Sequence, residues 1–222
     1  MLGKKSIQGH TKFTITTMTT NSLYHIKGTL IDYHHDASGS LQRVTVIATY
    51  MDLATAKKRA VEALPKLGFD IGLFESIHIR DDNTGVWLFG DGVFINAKAQ
   101  SGEVITIDIE TTPDTLGLSQ LGNSDRTLYY VLQRTIHYDQ DRSGARQTFS
   151  IEGVFINRQD AVEAAKQILL DDSISVSEYE EYDVWTEQQD WPFGEHVIVH
   201  AVGGTGQNFE ISVLQNGQCS PA

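Results

Sequence analysis

Ile31-Asp32-Tyr33-His34-His35-Asp36-Ala37-Ser38-Gly39 and Ile136-His137-Tyr138-Asp139-Gln140-Asp141-Arg142-Ser143-Gly144 stand 105 residues apart and read as one segment written twice. Each closes on Asp-x-Ser-Gly, in which the aspartate bonds nearby backbone and the glycine takes a positive φ, the chemistry of a tight strand connection. The match extends outward in both directions. Ser22-Leu23-Tyr24-His25-Ile26 answers Thr127-Leu128-Tyr129-Tyr130-Val131, and Phe74-Glu75-Ser76-Ile77-His78-Ile79 answers Tyr179-Glu180-Glu181-Tyr182-Asp183-Val184. Trp87-Leu88-Phe89-Gly90-Asp91 then answers Trp191-Pro192-Phe193-Gly194-Glu195 at a shift of 104, so one deletion separates the copies. Order, spacing and apolar pattern agree even where identity is low, which is how a duplicated structural unit looks.

Periodicity assigns the elements. After each Asp-x-Ser-Gly, residues 44–50 and 149–155 alternate apolar and polar with β-branched and aromatic residues, the signature of a strand with one buried face. Asp52 and Asn157 then stand at equivalent helix starts as N-caps. Ala56, Ala60, Ala63, Leu64 and Leu67 form one apolar stripe behind the first, and Ala161, Ala164, Ala165, Ile168 and Leu169 behind the second. Pro65 shortens the first helix and Gly68 stops it. Three further strands follow in each copy, at 73–80, 92–99 and 103–110, then at 178–186, 196–202 and 207–214. The pattern predicts an α+β fold: a tandem duplication of a β-β-α-β-β-β unit, mostly antiparallel, each sheet covered by one helix. The expected organisation is a flexible N-terminal tail over 1–20, unit one over 21–111, a linker over 112–123, unit two over 124–216 and a C-terminal tail over 217–222, the units related by a pseudo-twofold.

Composition excludes several classes. The net charge is −12, and residues 123–222 carry 16 acids against 6 bases, so nucleic acid and anionic membrane are not expected partners. No apolar run approaches the roughly 20 residues that span a bilayer. One cysteine, Cys219, allows no internal disulfide and points to a reducing compartment. With no apolar leader at the N-terminus, the chain is read as cytoplasmic; the acid-free stretch 1–31 makes a mitochondrial location the alternative.

Candidate sites are few. The Trp-x-Phe-Gly-acid segment occurs in both copies, so Trp87, Phe89, Trp191 and Phe193 either anchor a long loop to the sheet or wall a ligand site. His137 and His200, on strands, differ from their counterparts Asp32 and Asn96 and are the acid-base candidates for a cleft between the repeats. His34-His35-Asp36 lacks the second ligand pair of a zinc site and fits a hairpin tip. Gly203-Gly204-Thr205-Gly206 lacks the lysine of a phosphate loop and reads as a turn. No Gly-x-Ser-x-Gly is present, and no cofactor is implied. In Glu178-Tyr179-Glu180-Glu181-Tyr182-Asp183, strict alternation would put Glu180, Tyr182 and Val184 on one face and Tyr179, Glu181, Asp183 and Trp185 on the other. Acid among aromatics suits either a docking surface for a basic protein or a charged edge that blocks stray pairing. The expectation is a non-catalytic tandem-repeat binding or scaffold protein, its partner a basic protein or small apolar ligand. The rival is a cofactor-independent enzyme of small-molecule metabolism with its site between the repeats.

Overall fold

A computed structural model describes residues 21–81, 86–118, 126–187 and 190–221. The predicted tail over 1–20 and residues 119–123 of the predicted linker lie outside them. Unit one runs β1 (Ser22–Ile31), β2 (Gln42–Tyr50), α1 (Leu53–Ala60), α2 (Ala63–Lys66), β3 (Phe74–Ile79), β4 (Val93–Ala99) and β5 (Val104–Pro113). Unit two runs β6 (Tyr129–His137), β7 (Gln147–Phe155), α3 (Arg158–Ala165), β8 (Tyr179–Val184), β9 (Val197–Gly203) and β10 (Gln207–Gln215). Each unit forms one five-stranded antiparallel sheet, in the orders β2-β1-β5-β4-β3 and β7-β6-β10-β9-β8. The fold is the tandem α+β duplication that the repeat implies.

Local chemistry sets the boundaries. Asp52 accepts from Thr55 N and Asn157 from Gln159 N, each satisfying an orphan amide at its helix start. Asp36 accepts from the amides of Ser38 and Ser40, and Asp141 from that of Ser143. Gly39 and Gly144 take φ of +80° and +77° there, and a Cβ on either would meet the ring of Tyr33 or Tyr138, so glycine is required twice over. Most of the predicted helical stripe is buried: Ala56, Ala60, Ala63 and Leu64 are excluded from solvent, the last three in one cluster with Ile26, Ile95, Ile105 and Ile107, and Leu67 packs partly buried beside them. In unit two, Ala161, Val162 and Ala165 cover Val131, Val199, Ile211 and Val213.

The opposite sheet faces meet each other. Leu23, Val44 and Val46 of unit one form a single core with Tyr130, Leu132, Ile151, Val154 and Leu214 of unit two, with Leu118 beside them. The layers are helix, sheet, sheet, helix. Reciprocal bonds mark the pseudo-twofold: Gln42 Nε2 donates to Ala145 O, and Gln147 Nε2 to Ser40 O, at 2.7 and 2.8 Å. Each glutamine also donates to the glycine carbonyl of its own hairpin.

Equivalent free edges are capped by unlike devices. On β2, Ser220 bonds Val44 through both amide and hydroxyl, and Gly217 N donates to Val46 O, so residues 217–220 lie along the strand. On β7 the equivalent residues are Phe149 and Ile151. Lys27 Nζ donates to Phe149 O at 2.8 Å, while Glu110 Oε1 accepts from Ile151 N at 2.7 Å. Lys27 and Glu110 also pair with each other at 2.7 Å, with Asp108 3.6 Å from the ammonium. In unit two their places hold Leu132, Leu214 and Ser212. Beside this cluster, fully buried His25 contacts Thr49 Oγ1 and Thr112 Oγ1 through its two ring nitrogens, both at 2.8 Å. Thr49 also bonds Tyr130 OH, which joins the networks of the two units.

Removing one member of a buried pair strands its partner, at a cost of about 3–5 kcal/mol. We expect Lys27→Met to lower the unfolding free energy by about 3 kcal/mol or more in urea titration. Replacing Lys27 and Glu110 together by leucine, as unit two does, should cost less than the single change.

Burial acts oppositely on two groups here. It lowers His25 from 6.5 to about 4, with Glu110 pulling upward and Lys27 downward. It raises Asp108 from 3.8 to about 6 against the pull of Lys27. Between pH 6.5 and 4 the unfolded chain binds the extra proton at the histidine, so acidification removes stability. Between pH 6 and 3.8 the folded chain binds it at the aspartate, so acidification adds stability. The contributions offset. Asp108→Asn should therefore lose stability more steeply than the wild type from pH 6.5 to 4, and His25→Gln less steeply, in urea titrations at fixed pH.

Candidate functional site

Beyond the seam, the non-helical faces of the outer strands carry the Trp-x-Phe-Gly segments. In unit two the loop between β8 and β9 turns at Gly194, whose φ is +112° and whose absent side chain leaves room for Pro221. Trp191 meets Phe193 edge-on at 4.9 Å, and Phe193 stacks flat on His200, with centroids 3.9 Å apart and planes within 10°. Unit one repeats the plan. Trp87 meets Phe89 edge-on at 4.9 Å, and Phe89 lies 5.0 Å from an imidazole at 31°. That imidazole belongs to His78 on β3, whereas His200 lies on β9. In each case the histidine's cross-strand partner differs: His78 faces Asn96, and His200 faces Asp183. A ring-on-imidazole anchor is thus common to both units, while the polar pair beneath it has been exchanged.

Sheet register extends the pair into a row. Asp183, His200, Glu210 and Arg134 stand opposite one another across β8, β9, β10 and β6. Arg134 donates to Glu210 Oε2 at 3.1 Å and to Gln147 Oε1 at 3.0 Å, and its guanidinium lies 5.9 Å from the Phe149 ring centre. Unit one has His78, Asn96, Thr106 and Thr29 in the corresponding row, with no carboxylate or guanidinium. The charged row is therefore not a demand of the shared backbone.

The structure brings Trp191, Phe193 and His200 together, and places Trp87 and Phe89 over His78. It separates His137 from His200. Alternation along β6 puts His137 on the face opposite Arg134, three positions along, with Nε2 at 3.2 Å from Thr148 Oγ1. Sequence reasoning missed Asp183 and Glu181 as neighbours of His200, because a long loop separates β8 from β9 and hides their register. It also misjudged the faces of β8. A bulge between Tyr179 and Glu181 brings Tyr179 to the same side as Tyr182, ring to ring at 5.3 Å, both against the helix-side core. A bulge adds one residue to one strand and shifts alternation there.

Polar atoms at the site are not all satisfied. Trp87 Nε1, Trp191 Nε1, His137 Nδ1 and His200 Nδ1 are buried without a hydrogen-bond partner among the described residues. At the hairpin tip, His35 Nδ1 lies 2.8 Å from Asp32 Oδ2, and the carboxylate of Asp36 is taken up by Ser38 and Ser40. An open recess of about 340 Å³ lies between Arg158, Glu195, His196, Gln215 and Gln218 and is lined by none of the stacked rings.

Removal of the stacked ring should register in both units. Phe193→Ala and Phe89→Ala are each expected to lower stability by about 2 kcal/mol, less than a fully buried phenylalanine, and to red-shift tryptophan emission. Urea unfolding followed by fluorescence measures both effects. Compared with protein-family models, curated proteins and solved structures, the chain finds no match to any of them.

Proposed function

We propose that the chain is a non-catalytic binding protein whose second unit docks an extended basic protein segment along β8. One observation carries this reading. β8 ends its sheet, and Glu178, Glu180, Glu181 and Asp183 on or beside it form no ion pair with lysine or arginine among the described residues. In unit one the counterpart Glu75 is paired with Lys98 at 2.8 Å, while the position equivalent to Lys98 is Val202. An uncompensated acidic edge supports strand addition by a partner bearing lysine or arginine, with main-chain bonds supplying affinity and charge supplying selectivity and rate.

The rival reading places an acid-base site between the repeats and has less support. The seam holds Tyr130, Leu132, Leu23 and Val44 in contact; Lys27 and Glu110 are engaged in bonds that join the sheets, and His25 in bonds to Thr49 and Thr112 within unit one. His137 and His200 lie on opposite faces of one sheet.

Each exposed pair is worth about 0.5 kcal/mol, so neutralising three acids should weaken binding about tenfold. We expect a fluorescent lysine-rich decapeptide to bind the full chain, with affinity falling as salt rises. Glu178→Gln/Glu180→Gln/Glu181→Gln should weaken it about tenfold by anisotropy, and Glu75→Gln should not. Equal affinity of triple variant and wild type would reject the docking edge.

A further inference from the structure

We propose that His200, Asp183 and Glu181 form a site for one divalent transition-metal cation of the zinc class. This inference does not rest on the docking reading, although two carboxylates are shared. The ligand atoms of the three residues lie within 4.8 Å of one another. A histidine nitrogen with two carboxylate oxygens is a donor set suited to zinc, cobalt or nickel, rather than to calcium or magnesium, which take oxygen alone.

The acids by themselves would carry nothing, since exposed carboxylates gather without an ion. The telling group is His200. Its residue is 7% exposed, its Nδ1 is buried, and that atom has no hydrogen-bond partner among the described residues. Buried ring nitrogens are normally satisfied, so an orphan calls for a reason. Nδ1 faces Asp183 Oδ2 across 3.6 Å, too far for a hydrogen bond. The gap suits two ligand atoms that each sit about 2.0–2.2 Å from a shared ion. The ring cannot easily turn to seek another partner, because Phe193 lies flat on it. Asp183, about half exposed, and Glu181 leave the remaining coordination positions open to water. Unit one supplies an internal comparison on the same backbone: Ser76, His78 and Asn96 stand at the three positions, with no carboxylate. Among the described residues this makes one site.

Isothermal titration of the full chain with zinc chloride, and absorption titration with cobalt chloride, test this. The expected result is one equivalent bound, a rise in Tm with metal, and a loss of roughly tenfold or more in affinity for Asp183→Asn and for His200→Asn. Asp183→Asn changes an exposed side chain, so it reports on the site even if His200→Asn fails to fold. His78→Ala and His35→Ala should bind as the wild type does. Glu178→Gln/Glu180→Gln should retain the metal while weakening the basic peptide, which separates this site from the docking edge. No uptake at 100-fold excess over protein, unchanged affinity in Asp183→Asn, or loss of binding in His35→Ala instead would overturn the assignment.

Discussion

The buried Lys27–Glu110 pair is the contact on which the arrangement of the two units depends. Two five-stranded sheets can bury their inner faces against each other only if the free edges beside the seam are satisfied. An unpaired strand edge at a dry interface would leave amides and carbonyls without partners. The pair performs this service for β7, with the ammonium on Phe149 O and the carboxylate on Ile151 N. At the equivalent edge of β2 the segment 217–220 serves instead, through Gly217 and Ser220. A buried ion pair in place of two leucines is a poor source of stability in itself. Its use here is geometric, since its charged ends reach backbone that an apolar side chain would leave unbonded.

Duplication makes the molecule its own control. Wherever both units hold the same feature, the fold requires it: the Asp-x-Ser-Gly hairpin, the capped helix, the glutamine that crosses the seam, and the phenylalanine laid on an imidazole. Wherever they differ on an identical backbone, the fold is indifferent and another cause must be sought. The differences concentrate in two places. One is the seam, where polar groups of unit one face apolar groups of unit two. The other is the open face of β8 and β9, where carboxylates and His200 replace Ser76, His78 and Asn96. The first difference is explained by edge protection. The second has no such structural use, and it lies on an exposed acidic strand, which is why the functional proposals converge there.

Much of the secondary structure was legible because its causes are local. Asp52 and Asn157 cap helices through bonds two or three residues away, and β-branched alternation along β2 and β5 needs only a buried face. The site was legible in part. Trp191 and Phe193 stood out by their recurrence, and His200 by its difference from Asn96. Glu181 and Asp183 were visible as an acidic run but not as ligands beside an imidazole. The bulge at Glu180 defeated strict alternation, and no local rule announces a bulge whose cause is the strand alongside.

By itself the sequence determined the repeat, the element order, the helix caps, the turn glycines and the apolar faces, all of which follow from interactions within a few residues or from a period of two or 3.6 along the chain. The tertiary structure alone decided which faces meet, which edges are covered, and that Asp183 stands across from His200 while His137 looks the other way. Those facts depend on strand register and on packing between units, where residues far apart in the chain become neighbours and no periodicity records the distance.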